Sequence, residues 1–455
     1  MGGEIKMKMT KLLCLLFSVM IVVGMFFGCS KNENGTEVKK ETTQQNTDSD
    51  SKEQKEASSE PVTISFLNWG SAEGATKDAF LAMNKGFEEK TGNIKIENIN
   101  VPYGEMLDNM LVRNASKDLP DVAQVKGEWI SALYSIGALM ELDDLLPKET
   151  LEDYNPNIIK GLTYDGKLVA APWSPTPVVV YYNKTLLEKA GISEPPENWD
   201  DMIAQAEQIS KLGHTESGLK IYGFALKNER KTPSGFYFLS HIWSKGGSFI
   251  DDNNKVILNS AETNKAFEEA DYLIKNGIAP ESGIFKELRN MFAQGQVGFI
   301  IDGDFGYSIY LNLSPKGQEF KEEIGIMPVP EGYGFMIEHD LAIFNTTEHA
   351  NEAAMFIDYL SGPEGMTIYN DNNGNKNPSR KSVEALDFYQ QPENAHMKIF
   401  IEALKTTRPM PARHPMFNKA MEELAEGIQR VVLNKEKPED VVPSVEERIQ
   451  ELYEE

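Results

Sequence analysis

Few side chains in this chain are placed to make or break covalent bonds. Its two cysteines, Cys14 and Cys29, both precede Ser30, so the body has no thiol nucleophile and no disulfide. The six histidines are scattered, and none forms a His-x-x-x-His pair that could grip a metal ion. Asp371-Asn372-Asn373-Gly374-Asn375 begins like a calcium loop but lacks the spacing and the closing Glu. There is no Gly-x-Ser-x-Gly elbow and no phosphate-binding loop. With 70 Asp and Glu residues, pairs of acids arise from composition alone and are no sign of glycoside hydrolysis. What remains is the chemistry of non-covalent recognition. Trp69 and Tyr103 offer aromatic faces, and Gln124 and Glu128 offer hydrogen-bonding groups.

Those four residues gain meaning from the elements that carry them. Val62–Leu67 alternates polar and apolar residues and predicts a strand that ends at Asn68-Trp69-Gly70. A helix follows with Phe80, Met83 and Phe87 on one side and Gly92 as its stop. Ile94–Ile99 predicts a second strand, running into Val101-Pro102-Tyr103, and Met106–Ala115 a second helix. Pro120–Val125 predicts a third strand and Glu128 opens a third helix. Repeated strand–helix units imply a parallel sheet covered by helices. Ligands of such sheets sit beyond the carboxyl ends of the strands, which is where Trp69, Tyr103, Gln124 and Glu128 stand. Later segments repeat the pattern, with strands over Val178–Tyr182, Ile221–Ala225 and Val297–Ile301. Helices are predicted over Met202–Ser210, Phe236–Ser244, Ala261–Asn276, Glu348–Leu360, Phe417–Leu433 and Val441–Tyr453.

The amino terminus is of another kind. Lys6, Lys8 and Lys11 precede an apolar run from Leu12 to Phe27, followed by Gly28-Cys29-Ser30. This is the layout of a signal peptide, over residues 1–28. With Cys29 straight after a small residue it resembles a bacterial lipoprotein signal, in which that cysteine is lipidated; Phe26 stands where Leu is usual. Residues 29–60 are almost wholly polar and read as a disordered tether. The roughly 395 residues beyond it are too many for one core, so two lobes are expected. The formal charge is -25. Removing Lys6, Lys8 and Lys11 together with Glu4 leaves the mature chain near about -27, which argues against nucleic acid and, more weakly, against an anionic ligand.

Behind that leader, many short pieces follow one another in an order that resembles the extracellular solute-binding proteins of sugar ABC importers, the maltose-binding-protein type. They include Pro120-Asp121-Val122, Asp165-Gly166-Lys167-Leu168, Tyr182-Asn183-Lys184, Gly246-Gly247, Asp302-Gly303-Asp304-Phe305 and Pro328-Val329-Pro330. The resemblance implies an α/β, two-lobed periplasmic-binding-protein-like fold with hinge crossovers and a ligand cleft between the lobes. The first lobe would hold 61–170 and 331–371, the second 171–330 and 372–455. The crossings would fall near Ala171-Pro172 and Pro328-Val329-Pro330.

The resemblance also implies roles. Trp69 and Trp173 would stack on the flat C–H faces of a sugar, as Phe305 would where relatives carry Trp. Asp302 or Asp304 would reach the cleft. Glu338 and His339 replace small residues usual in the family and would set specificity. Phe417, Arg408 and Arg413 are read as structural, and Trp199 as a packing residue. The implied function is a lipid-anchored receptor that catalyses nothing. It would capture a carbohydrate by lobe closure and deliver it to ABC permease subunits, as a monomer held to the membrane by its lipid, with no cofactor, metal or nucleic acid. The rival readings are a cell-surface carbohydrate-active enzyme, or the same receptor fold binding a polyol phosphate or polyamine. Lys126 aside, no basic residue stands among the expected cleft positions, which counts against phosphate.

Overall fold

Five strands of the first sheet and five of the second are interleaved along the chain, so the polypeptide must leave one sheet for the other more than once. The structure, a computed structural model, describes residues 61–72, 76–251, 253–372, 374 and 376–454. The expected signal peptide, Cys29 and the expected tether lie outside the described residues. The described residues form a single compact unit.

In chain order, β1 (Val62–Asn68), β2 (Ile94–Asn100) and β3 (Val122–Lys126) are parallel neighbours with β1 in the middle. The alternation of β1 buries Ile64 and Phe66. The helix Lys77–Thr91 lays Phe80, Met83 and Phe87 against the core and stops at Gly92, whose φ of 74° a side chain would resist. Asp121 staples β1 to β3: its Oδ2 accepts from Ser65 N and Oγ at 2.8 and 2.7 Å. A small hairpin, β4 (Thr163–Tyr164) and β5 (Lys167–Leu168), precedes β6 (Ala171–Pro172).

Strand β7 (Thr176–Asn183) then founds the second sheet, which gains β8 (Tyr222–Ala225), β9 (Val297–Gly303), β10 (Ile324–Pro328) and β11 (Met336–Ile337). Strand β12 (His339–Ile343) returns to the first sheet between β3 and β6. Its antiparallel register sets His339 opposite Lys126, Asp340 opposite Val125 and Leu341 opposite Gln124.

The crossings follow from this pairing. The chain leaves the first sheet after Pro172 and joins the second at Thr176, close to the expected Ala171-Pro172. The return is not at Pro328-Val329-Pro330. Pro328 is still paired with Val179, and after a turn in which Glu331 takes φ 58° the chain pairs Met336 with Pro177. Only Glu338 separates β11 in one sheet from β12 in the other, so the crossing and the boundary set at 330/331 both move to that residue. The reason is that Pro lacks a donor yet suits the end of an edge strand, so it marks a strand end rather than a change of sheet. The two crossings are tied together: Trp173 N and Ser174 N both donate to His339 O, at 3.1 and 2.9 Å. A third connection runs past Asn377, whose Nδ2 donates to Pro175 O at 3.1 Å, into the helix Ala395–Thr406 packed on β7 and β10.

Candidate functional site

The carboxyl ends of β1, β2 and β3 gather an aromatic wall. Trp69 follows β1, Tyr103 follows β2, and Trp129 stands in the first turn of the helix Gly127–Ser135 that follows β3. Trp69 lies 5.6 Å from Tyr103 and 5.9 Å from Trp129, both edge-on, and Tyr103 stacks on Trp129 at 5.7 Å. The His339 ring joins at 5.8 Å from Trp69. Tyr103 is the outer member, 46% exposed, while both tryptophans are nearly covered. Lys126 Nζ sits 6.0 Å from the centre of the Tyr103 ring. Trp129 escaped the sequence reading although it stands one residue past Glu128; an aromatic just inside a helix that follows a strand end was the available sign.

Below the wall, short polar side chains hold the loops. Asn68 Oδ1 accepts from Ser71 N at 2.8 Å, and Asn68 Nδ2 donates to Asn98 at 3.0 Å. Gln124 was expected to face a ligand. Its Oε1 instead accepts from Gly70 N at 3.3 Å, and the residue is buried, so it holds the Trp69 turn from beneath. Trp173 also departs from expectation. Its Nε1 donates to Leu360 O at 3.2 Å, and Phe80 and Tyr369 press on its ring, each at 5.2 Å. With 1% of its surface exposed it is a core anchor of the first lobe.

Glu128, at the start of its helix, is half-buried. Glu338 is buried, with its carboxylate wedged between Gly127 and Gly161. Burial and the neighbouring Glu128 raise its pKa, against the pull of Arg413 and Lys126. Asp340 is raised in the same way, by burial and then Glu338. Burial lowers Lys126, and burial together with Lys126 and Lys376 lowers His339. Among the described residues, Glu338 Oε1, His339 Nδ1 and Asp340 Oδ2 have no hydrogen-bond partner.

The end of β9 supplies the opposite side. Asp302, a candidate ligand contact from the sequence, is fully committed inside the protein. It takes Lys227 Nζ at 3.0 Å, Arg289 Nε and Nη2 at 2.7 and 2.9 Å, Tyr237 Oη at 2.9 Å and Tyr310 Oη at 2.8 Å. Burial would raise its pKa, but Lys227 and Arg289 hold it well below the carboxylate range, while burial brings Lys227 down to about 7. Asp304 is likewise engaged: Asn377 Nδ2 donates to its carboxylate, and burial lifts its pKa to about 6. Phe305 is 37% exposed, with the Arg289 guanidinium 5.2 Å from its ring centre. Beside it opens a cavity of about 610 Å³ whose lining includes Thr76, Asp304, Phe305, Tyr307, Lys376 and His396. Tyr307 and His396 stack there at 4.3 Å. Thr76 Oγ1 donates to Gly70 O at 2.9 Å, which links this cavity to the turn that carries Trp69. Lys376, Arg289 and Lys227 are the basic residues that sequence reasoning did not place here, because long-range pairing decides where they lie.

Comparison with known proteins agrees with this architecture. The family profile described as bacterial extracellular solute-binding protein matches residues 71–367. A probable ABC transporter-binding protein of Deinococcus radiodurans is 23% identical over 326 residues, covering 68% of this chain and 74% of its own. The galactooligosaccharide-binding protein of Bacillus subtilis is 26% identical over 267 residues, covering 57% and 60%. Among solved structures, the sugar-binding protein MalE of Xanthomonas citri superposes with a TM-score of 0.74 at 20% identity, over 86% of this chain and 97% of that one. At that identity the likeness speaks for the two-lobed fold.

Proposed function

The chain belongs to the bacterial extracellular solute-binding proteins, and from that premise we propose that it is a receptor that captures a carbohydrate and hands it to an ABC importer. The observation that carries this reading is the aromatic wall at the strand ends. Tyr103 presents ring surface of the kind that covers the C–H face of a pyranose, with Trp69 and Trp129 packed behind it, and the three stand where ligands of such sheets bind. Polar groups around them, Glu128 and Lys126, can meet hydroxyls. The oligosaccharide named for the Bacillus subtilis relative points the same way. The family is one of binding proteins, and the side chains at the wall have the make-up of a binding surface.

In this reading Phe305, with Asp304 behind it, closes on the wall from the second lobe. The three connections at Trp173–Pro175, Glu338 and Asn377 are the bending points, since the two sheets join there. Cys29 carries the lipid that holds the receptor on the outer face of the membrane, and the Cys29→Ser protein is expected to lose lipid labelling. The deciding experiment is a thermal-shift and calorimetric screen of the mature chain against mono- and oligosaccharides. A carbohydrate that raises the melting temperature, binds in calorimetry and loses affinity in Trp69→Ala supports the proposal. Turnover of an aryl-glycoside, or binding unaffected by Trp69→Ala, overturns it.

A further inference from the structure

The cavity of about 610 Å³ beside Phe305 is lined by none of the three rings of the aromatic wall. It is a second surface, and elements of both sheets bound it. Thr76 comes from the turn after β1, and Gly374 and Lys376 from the third connection. The helix Gly306–Leu313, which follows β9, and the helix Ala395–Thr406, packed on β7 and β10, supply much of the rest. Bending at the connections must therefore change its width. Its volume falls in the range of ligand pockets, about 300–1,000 Å³. Thr76 Oγ1 donates to Gly70 O at 2.9 Å, one residue from Trp69, so wall and cavity adjoin across a single turn.

The lining pairs ring surface with uncharged hydrogen-bonding groups. Phe305 is exposed, and Tyr307 and His396 are half-buried and stack at 4.3 Å with 21° between their planes. Among the described residues the Tyr307 hydroxyl and the exposed amides of Asn312 and Gln318 have no hydrogen-bond partner. The charged groups cancel in number: Lys321 and Lys376 stand against Asp304 and Glu393, and burial holds His396 below the ordinary histidine range. No net charge therefore favours an ionic ligand. Ring surface beside neutral donors and acceptors is what a sugar needs, with its apolar C–H faces and its rim of hydroxyls. The lining also continues outward: Glu393 and Asn394 border a second depression, of about 780 Å³, that includes Phe388.

From this we infer that the ligand is an uncharged oligosaccharide of two or more units, one lying on the wall at Tyr103 and the next in this cavity, where Tyr307 and His396 read its length. A single pyranose cannot cover Tyr103 and also fill the cavity, because the wall rings stand outside the cavity's lining. Whichever surface it took, the other would be left to water. A chain that passes Thr76 meets both, and its further units can leave over Asn394. The inference rests on the carbohydrate-receptor reading and narrows it.

The test is calorimetry on the mature chain, at two salt concentrations, with ladders of increasing length. The probes are glucose up to maltotetraose, galactose up to β-1,4-galactotetraose, and N-acetylglucosamine up to its β-1,4 tetramer. In a ladder that binds, the longer members should bind at least about tenfold tighter than the monosaccharide, and salt should leave that ratio in place. Tyr307→Ala and His396→Ala should each take away most of the ratio. Tyr307→Phe keeps the stacked ring and should keep most of it, whereas Tyr103→Ala should weaken short and long members alike. Melting curves establish that each variant folds, and Asn312→Ala, at an exposed position, should also lower the ratio and keeps the test valid if the ring variants do not fold. Monosaccharides that bind as tightly as their oligomers, a ratio that survives the substitutions at Tyr307, His396 and Asn312, or one that salt erodes overturns the inference and leaves the receptor standing. Binding of no member of any ladder overturns both.

Discussion

The carboxyl group of Glu338 fills the space that a side chain at Gly127 would need: a Cβ built on Gly127 would lie 2.2 Å from Glu338 Oε2 and 2.9 Å from its Cβ. Gly161 closes the other side, where a Cβ would meet Oε1 at 2.6 Å. Glu338 is also the one residue between β11 and β12. The passage between sheets is therefore seated in a cradle made by two glycines of the first lobe.

Gly127→Ala should expel that carboxyl or strain the start of its helix. Overpacking of this kind costs about 1–3 kcal/mol. The expected outcome is a lower denaturant midpoint with an unchanged slope. The double variant Gly127→Ala, Glu338→Ala should recover part of the loss, because the clash has been removed from its other side. No recovery would mean that the helix start, and not the carboxyl, sets the requirement.

The same burial makes stability depend on pH. Glu338 has its pKa raised by burial and Glu128, so the folded state keeps a proton that the unfolded state releases near its ordinary value of about 4.3. Between that value and its raised folded value the native state binds more protons, so this contribution is present at acid pH and lost as pH rises toward neutrality. Asp340 works in the same direction, and His339, lowered by burial, works in the opposite one. Unfolding free energy measured from pH 4 to 8 should fall more steeply with pH in the wild type than in Glu338→Gln. Parallel curves would remove Glu338 as the cause.

Asp302 is the anion on which Lys227, Arg289, Tyr237 and Tyr310 converge. Asp302→Ala leaves two cations behind, one of them fully enclosed. Breaking a buried pair in this way costs about 3–5 kcal/mol. Chemical denaturation should show a loss on that scale. A loss below about 1 kcal/mol would place the cluster in the range of exposed ion pairs.

The tryptophans should divide by role. Trp69→Ala and Trp129→Ala each remove ring surface from the wall, about 1–3 kcal/mol of favourable contact, or about 5- to 150-fold in carbohydrate affinity. Trp173→Ala should cost about 3–5 kcal/mol of stability, as for a large core deletion, with affinity little changed in protein that remains folded. Trp199, which donates through Nε1 to Glu269 at 3.0 Å, should behave like Trp173. Calorimetry and melting curves on the four variants check this, and loss of binding confined to Trp173→Ala would move the site off the wall.

The sequence by itself determined the local elements and the edge on which recognition chemistry stands. Two-residue alternation from Val62 to Leu67, the apolar stripe of Phe80, Met83 and Phe87 and the stop at Gly92 are readings over neighbouring residues, and neighbours suffice to specify them. Trp69, Tyr103 and Glu128 could be set at strand ends for the same reason. Partnership was beyond that reach. Whether Trp173 lines a cleft or fills a core depends on Phe80 and Tyr369, far away in the chain. Asp302 and Asp304 have the same local setting, yet Lys227 and Arg289 consume the first and Asn377 the second. The crossing at Glu338 instead of Pro328-Val329-Pro330 was settled by which strand Met336 pairs with. Lys376 comes to line the cavity beside Phe305 only once the third connection has returned the chain to the junction of the two sheets. Tertiary structure decided these matters because charge pairing, packing and strand exchange act through space between residues distant in the chain.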